Sequence, residues 1–266
     1  MTSLNIMTAD ERIALICVKM ERAKKHFGDL EIARNRFINS NPCELNFKPD
    51  TKPGHEGLNL WFMTRIDPIP SEVSVLAGEA IHNIRSALDH LACQLVRVYG
   101  GTVSGQTSFP IFRSTQIDEP TFARKVEGMS QVAKDKIRTI EPFKNGKGHD
   151  LWVLHELDIA DKHHGLLTTL FKVDSVSVQF KNEFGDRLWV QRSSVPRFAL
   201  PDFGDALEVG KPIFTCEPGA EHESYFAFDI AIDQPNVVPR KRIIWAVKHL
   251  IDKVDGLISE FKPMMA

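Results

Sequence analysis

The stretch Ser71–Val98, SEVSVLAGEAIHNIRSALDHLACQLVRV, decides the architecture. At about 100° per residue, Leu76, Ala77, Ala80, Ile81, Ile84, Ala87, Leu88, Leu91, Ala92 and Leu95 fall mainly on one half of a helical wheel. Glu79, His82, Asn83, Arg85, Ser86, Asp89, His90, Cys93, Gln94 and Arg97 fall on the other half. Pro68 and Pro70 precede the stretch and Gly100-Gly101 closes it, so the spacing predicts one uninterrupted helix. So wide an apolar half needs other elements to cover it.

Two further stripes supply those elements. Thr8 and Glu11 fit a capping box, and Ile13, Ile16, Met20, Ala23, Phe27, Leu30, Ala33 and Phe37 then recur at spacings of three and four. Asn41-Pro42 ends that helix. At the other end Pro239 suits the first position of a helix carrying Ile243, Val247, Leu250, Ile251, Val254, Ile258 and Phe261. Between them, 41–56 reads as a loop and 58–63 as a short strand. Two short helices are expected near 119–128 and 130–140, with Phe109-Pro110-Ile111-Phe112 plugging the core from a loop. KNGKGH (144–149) reads as a turn, after which Asp150 caps a helix running to His163.

The period then changes from helical to alternating. Strands are expected at Val176–Phe180, Leu188–Gln191, Ile213–Cys216 and Phe226–Ile232, with a turn at 182–186 and a loop over 193–212. The expected fold class is α+β. It is a mainly helical bundle of long N-terminal, central and C-terminal helices, with one small antiparallel β-sheet inserted. The bundle takes 7–165 and 238–263 and the insert about 166–236, as a single domain over 1–266.

Composition narrows the function classes. Of 266 residues 42% are apolar and 26% charged, enough to bury a real core. The formal net charge of −2 gives no global attraction to nucleic acid, so such a site has to be a local patch. Cys17, Cys43, Cys93 and Cys216 form no CxxC pair and read as reduced thiols. No secretory signal and no membrane-length apolar run is visible, so the cytoplasm is the expected location and no membrane the expected partner.

The polar half of the central helix contains no lysine. It carries His82, His90, Arg85, Arg97, Ser86, Asp89 and Asn83, groups that bind anions and move protons, where a plain solvated face is mostly Lys and Glu. The alternative is a face that is simply exposed or paired with a neighbouring helix. In the 150–164 helix His155, Asp158 and Lys162 share a second stripe. Packed beside the central helix, His155 and Lys162 would add positive character near Arg85. Asp158 and Lys162 alone make an ordinary ion pair one turn apart. No HExxH, P-loop, GxGxxG or GxSxG occurs, and neither cofactor nor metal is expected.

Arg85-Ser-Ala-Leu-Asp-His90 resembles the Arg-x4–6-His signature of the HEPN superfamily, helical domains of many toxins, phage-defence proteins and RNA-processing enzymes. Arg242 and His249 share the spacing with a longer gap. The wider GEAIHNIRSALDHLACQL also looks like a motif of an uncharacterised bacterial family whose later Leu-x-x-Leu-Asp…Asp-Lys-His segment is matched by LHELDIADKHH (154–164). Ser86 departs from the superfamily, where an amide or charged residue is common, and the β-rich part has no counterpart in a minimal HEPN domain.

The resemblance implies metal-independent RNA cleavage by a homodimer of the toxin or defence type. Arg85 would hold the scissile phosphate, and His90 would act as general base or acid. His82, Asn83, Ser86, Asp89, Arg97, His155, Asp158 and Lys162 would bind around them. Arg85 and His90 lie about 140° apart on one helix, so a second protomer would ease the geometry. Two rival functions remain open on sequence. One is a non-catalytic nucleotide- or protein-binding module of the same fold; the other is a metal-dependent hydrolase using His82, Asp89, His155 and Asp158.

Overall fold

A computed structural model describes residues 7–163, 165–181, 187–191, 206–216 and 223–265. Helix α1, Ala9–Asn39, starts at the expected box: the Thr8 amide donates to Glu11 Oε2 at 2.7 Å and the Glu11 amide to Thr8 Oγ1 at 3.2 Å. It stops where Asn41 takes a left-handed φ of 54° ahead of Pro42. The central helix, α2, spans Ser71–Val98 as predicted, and the C-terminal helix packs against these two. Ile16, Met20, Ala23 and Leu30 of α1 are buried with Ala77, Ile81, Ile84, Leu88 and Leu91 of α2 in one core. Each such Leu or Ile contributes about 1.5–3 kcal/mol of burial.

The β structure is richer than one inserted sheet. Part of the expected loop at 41–56 is strand β1, Cys43–Pro49, paired antiparallel with β2, Asn59–Ile66, in the register Phe47 to Trp61. The alternation Cys43, Leu45, Phe47 is real but confined between two prolines, and an edge strand tolerates Pro49 because its missing N–H faces no partner.

Between α2 and the remaining strands lie the helices α3 (Glu119–Lys125), α4 (Gln131–Ile140) and α5 (His149–His163). Strands β3 (Thr169–Lys181), β4 (Arg187–Gln191), β5 (Pro212–Cys216), β6 (Glu223–Gln234) and β7 (Val238–Arg242) follow. They divide into two sheets: β5 joins β2 in the order β1-β2-β5, and the other runs β4-β3-β6-β7. The first sheet therefore crosses the expected boundary between bundle and insert. The turn at 182–186, most of the 193–212 loop, His164 and His222 lie outside the described residues, as do the side chains of 173–181 and Cys216.

Pro239 does not open the last helix. It sits in β7, where Ala231 and Ile232 of β6 pair with Arg242 and Lys241, and helix α6 begins at Ile243 and runs to Phe261. The reason is again an edge position, open to a residue without an N–H. Helix α5 starts at His149, one residue early, so Asp150 falls in its first turn and accepts from His249 Nε2 at 3.1 Å.

The 99–118 connection is pinned rather than draped. Phe109, Ile111 and Phe112 are buried, Phe109 edge-on to Phe261 with centroids 6.3 Å apart. The Phe112 amide donates to the Pro142 carbonyl at 2.9 Å. Among the described residues no helix is long and apolar enough to cross a membrane.

Candidate functional site in the seam of two helices

Helices α2 and α5 pack with their polar stripes facing. Gly78 permits a close approach: a Cβ there would stand 2.2 Å from Asp161 Oδ1. One turn on, His82 Nδ1 lies 3.1 Å from Asp158 Oδ1, and Lys162 Nζ donates to Asp158 Oδ2 at 2.7 Å. Ser86 Oγ is 3.5 Å from His82 Nε2. Asp158 is only 4% exposed, whereas the His82 side chain is 45% exposed. A buried carboxylate on Nδ1 orients the imidazole and leaves Nε2 with only the long contact to Ser86.

A second cluster adjoins the first. Arg85 is 6% exposed; its Nη1 donates to Asp89 Oδ1 at 2.6 Å and its Nη2 to the Phe109 carbonyl at 3.1 Å. The Phe109 amide returns to Asp89 Oδ1 at 3.0 Å. Arg85 and Asp89 thus satisfy both backbone groups of the residue that plugs the core.

His155 belongs to this side. Burial and then the charges of Arg85, Lys125 and Arg113 push its pKa down to about 4, against the opposing pull of Asp158. Its Nδ1 is buried with no hydrogen-bond partner among the described residues. Burial and then Arg85 also lower Lys125, and Asp89 opposes them. Burial and then Asp158 raise Asp161. Arg113 holds Glu156 through two bonds, at 2.7 and 3.0 Å. The charges of Arg85, Lys125 and Arg113 near His155 outweigh that of Asp158, while burial disfavours a charge on the ring itself.

Protonation of His155 opposes folding, because its folded pKa lies below the unfolded value near 6.5. The unfolded chain binds the extra proton first, so stability is full above pH about 6.5, falls as pH drops toward about 4, and levels below. Urea midpoints across that range are expected to show this slope, and His155→Gln is expected to flatten it. An unchanged slope in the variant would show that other groups cause it.

The structure thus brings His82, Ser86, Asp158 and Lys162 together, with Arg85, Asp89 and His155 beside them. It leaves His90 and Arg97 exposed, and turns Asn83 back onto its own helix, Nδ2 donating to the Glu79 carbonyl at 2.8 Å. Gln94, on the polar half of the wheel, is buried against α1 and accepts from Arg12 Nη1 at 3.0 Å. Arg85 and His90 do not converge within one chain: one is buried and the other points to solvent. Lys125, Arg113 and the Phe109 backbone carry no periodic signal and join the site only through packing. Among the described residues no group of three or more His, Cys, Asp or Glu side chains is placed to hold a metal ion. No protein-family model matches the chain, and no curated protein or solved structure is significantly similar to it.

Proposed function

We propose that the chain is a HEPN-like protein that cleaves RNA without a metal ion, as a homodimeric ribonuclease of the toxin or phage-defence type, with the α2–α5 seam as its reaction site. One observation carries the reading: a half-exposed His82 is backed by buried Asp158, one helical turn from a His155 that burial and then the charges of Arg85, Lys125 and Arg113 hold neutral. In this reading His82 Nε2 withdraws the proton of a ribose 2′-OH while Asp158 stabilises the imidazolium that forms. The 2′ oxygen attacks phosphorus, the P–O5′ bond breaks to leave a 2′,3′-cyclic phosphate, and the leaving 5′ oxygen takes a proton from water while the His82 imidazolium returns its own to solvent.

The half-buried Lys125 meets the charge developing on phosphate, and Arg113, held by Glu156, acts through its field. Arg85, committed to Asp89 and Phe109, acts through its field and by holding the seam in shape. His90 lies outside the seam and takes part only where a second copy brings its own groups to that surface.

Purified protein is expected to cleave RNA in the presence of chelator, and His82→Ala to slow cleavage by about 10²–10⁴, the usual range for a general base. His90→Ala matches that loss where the dimer completes the site. Absence of cleavage, or a rate unaffected by both substitutions, removes the assignment.

A further inference from the structure

Helices α3 and α4 flank an open cleft of about 460 Å³, lined by Phe122, Arg124, Glu127, Gln131, Lys134 and Arg138 among others. Its walls carry three cations against the single carboxylate of Glu127. Arg124 and Lys134 have no ion pair among the described residues; Arg124 Nη2 donates only to Thr121 Oγ1, at 3.0 Å. Arg138 is tied to Glu119 at 2.8 Å and, more loosely, to Asp135 at 3.8 Å, and its guanidinium carbon stands over the Phe122 ring, 4.1 Å from the centroid. A guanidinium fixed in that way offers its other face as a platform for a planar group.

The cleft joins the seam through α3. Lys125, whose charge is felt at His155 and in turn feels Arg85 and Asp89, follows directly on Arg124 of the cleft wall. Consecutive residues of α3 thus place one cation, Lys125, toward the seam and another, Arg124, at the cleft, where Lys134 and Arg138 join it. In a protein of net charge −2 such a grouping is a local feature, not a consequence of overall basicity.

We infer that the α3–α4 cleft holds the single-stranded RNA flanking the reaction site, with Arg124 and Lys134 on its phosphates and a base stacked on the Arg138 guanidinium. Phosphate contacts with a stacking platform are the combination that binds single strands with little sequence preference. The inference rests on the reading of the seam as an RNA-processing site, but the cleft binds without it.

The test is fluorescence anisotropy with a labelled oligoribonucleotide of roughly 12 nucleotides, titrated at several salt concentrations. The proteins are wild type, the double variant Arg124→Ala/Lys134→Ala, Arg138→Ala, His82→Ala and a control, Lys253→Ala. Circular dichroism confirms that each is folded. The double variant is expected to bind about tenfold more weakly and to lower the slope of log K against log salt by about 1.4, from about 0.7 for each lost contact. Arg138→Ala is expected to weaken binding with a smaller change in slope, because stacking releases few counterions. Lys253→Ala is expected to bind like wild type, and His82→Ala to lose cleavage while the slope of log K against log salt stays at the wild-type value.

Binding and slope unaltered in the double variant overturn the inference, as does polyglutamate of matched charge binding as tightly as RNA. Binding without cleavage in wild type ends the catalytic reading and leaves the cleft standing. Cleavage with an unaltered KM in the double variant ends the cleft and leaves the seam.

Discussion

Phe109→Ala is expected to cost about 3–5 kcal/mol, the range for deleting a fully buried ring. Phe109 has no exposed surface and packs edge-on against Phe261, so the cavity would open between the 99–118 connection and α6. The backbone around it cannot collapse freely to fill the space. Its amide and carbonyl are both held from α2, by Asp89 and Arg85. Urea unfolding followed by circular dichroism checks this, and the melting temperature is expected to fall by roughly 2–4 °C for each kcal/mol lost. A loss below about 1 kcal/mol would mean that the ring is not the plug the packing makes it.

Arg85→Ala is the second large effect, at about 3 kcal/mol. The substitution leaves the Phe109 carbonyl without its donor and Asp89 without its cation. Asp89 is partly exposed, and water recovers some of that loss, which places the cost at the lower end for a broken buried pair. His90→Ala, at an exposed position, is expected to stay within about 0.5 kcal/mol. The two halves of one Arg-x4-His match are therefore structurally unequal. Activity lost in Arg85→Ala reads as catalytic only if the variant is shown to be folded at the assay temperature. His82→Ala is the cleaner probe, because His82 is half-exposed and its removal opens no cavity in the core. Phe109→Ala and Arg85→Ala share partners, so the double variant is expected to lose less than the sum of the two.

The three long helices were legible because a stripe at spacings of three and four is a local property of the chain. Burying the stripe is what stabilises each helix. The Thr8 capping box was legible for the same reason, and so was the burial of Phe109, Ile111 and Phe112. Strand β1 was hidden because three alternating residues between prolines resemble a loop, and its pairing with β2 is supplied from outside the segment. Pro239 misled because a proline that suits the first turn of a helix equally suits an edge strand.

At the site the same division holds. One helical wheel was enough to collect His82, Arg85, Ser86 and Asp89 on one half of α2, and the i, i+3, i+7 spacing enough to align His155, Asp158 and Lys162. A wheel does not contain what packs against it. Only the tertiary structure chose among those polar groups. It buried Arg85 under the Phe109 backbone and Gln94 against Arg12, paired His82 with Asp158, and left His90 and Arg97 in solvent. The physical reason is that periodicity records which side of a helix is apolar, whereas the environment of a polar side chain is set by elements far away in sequence.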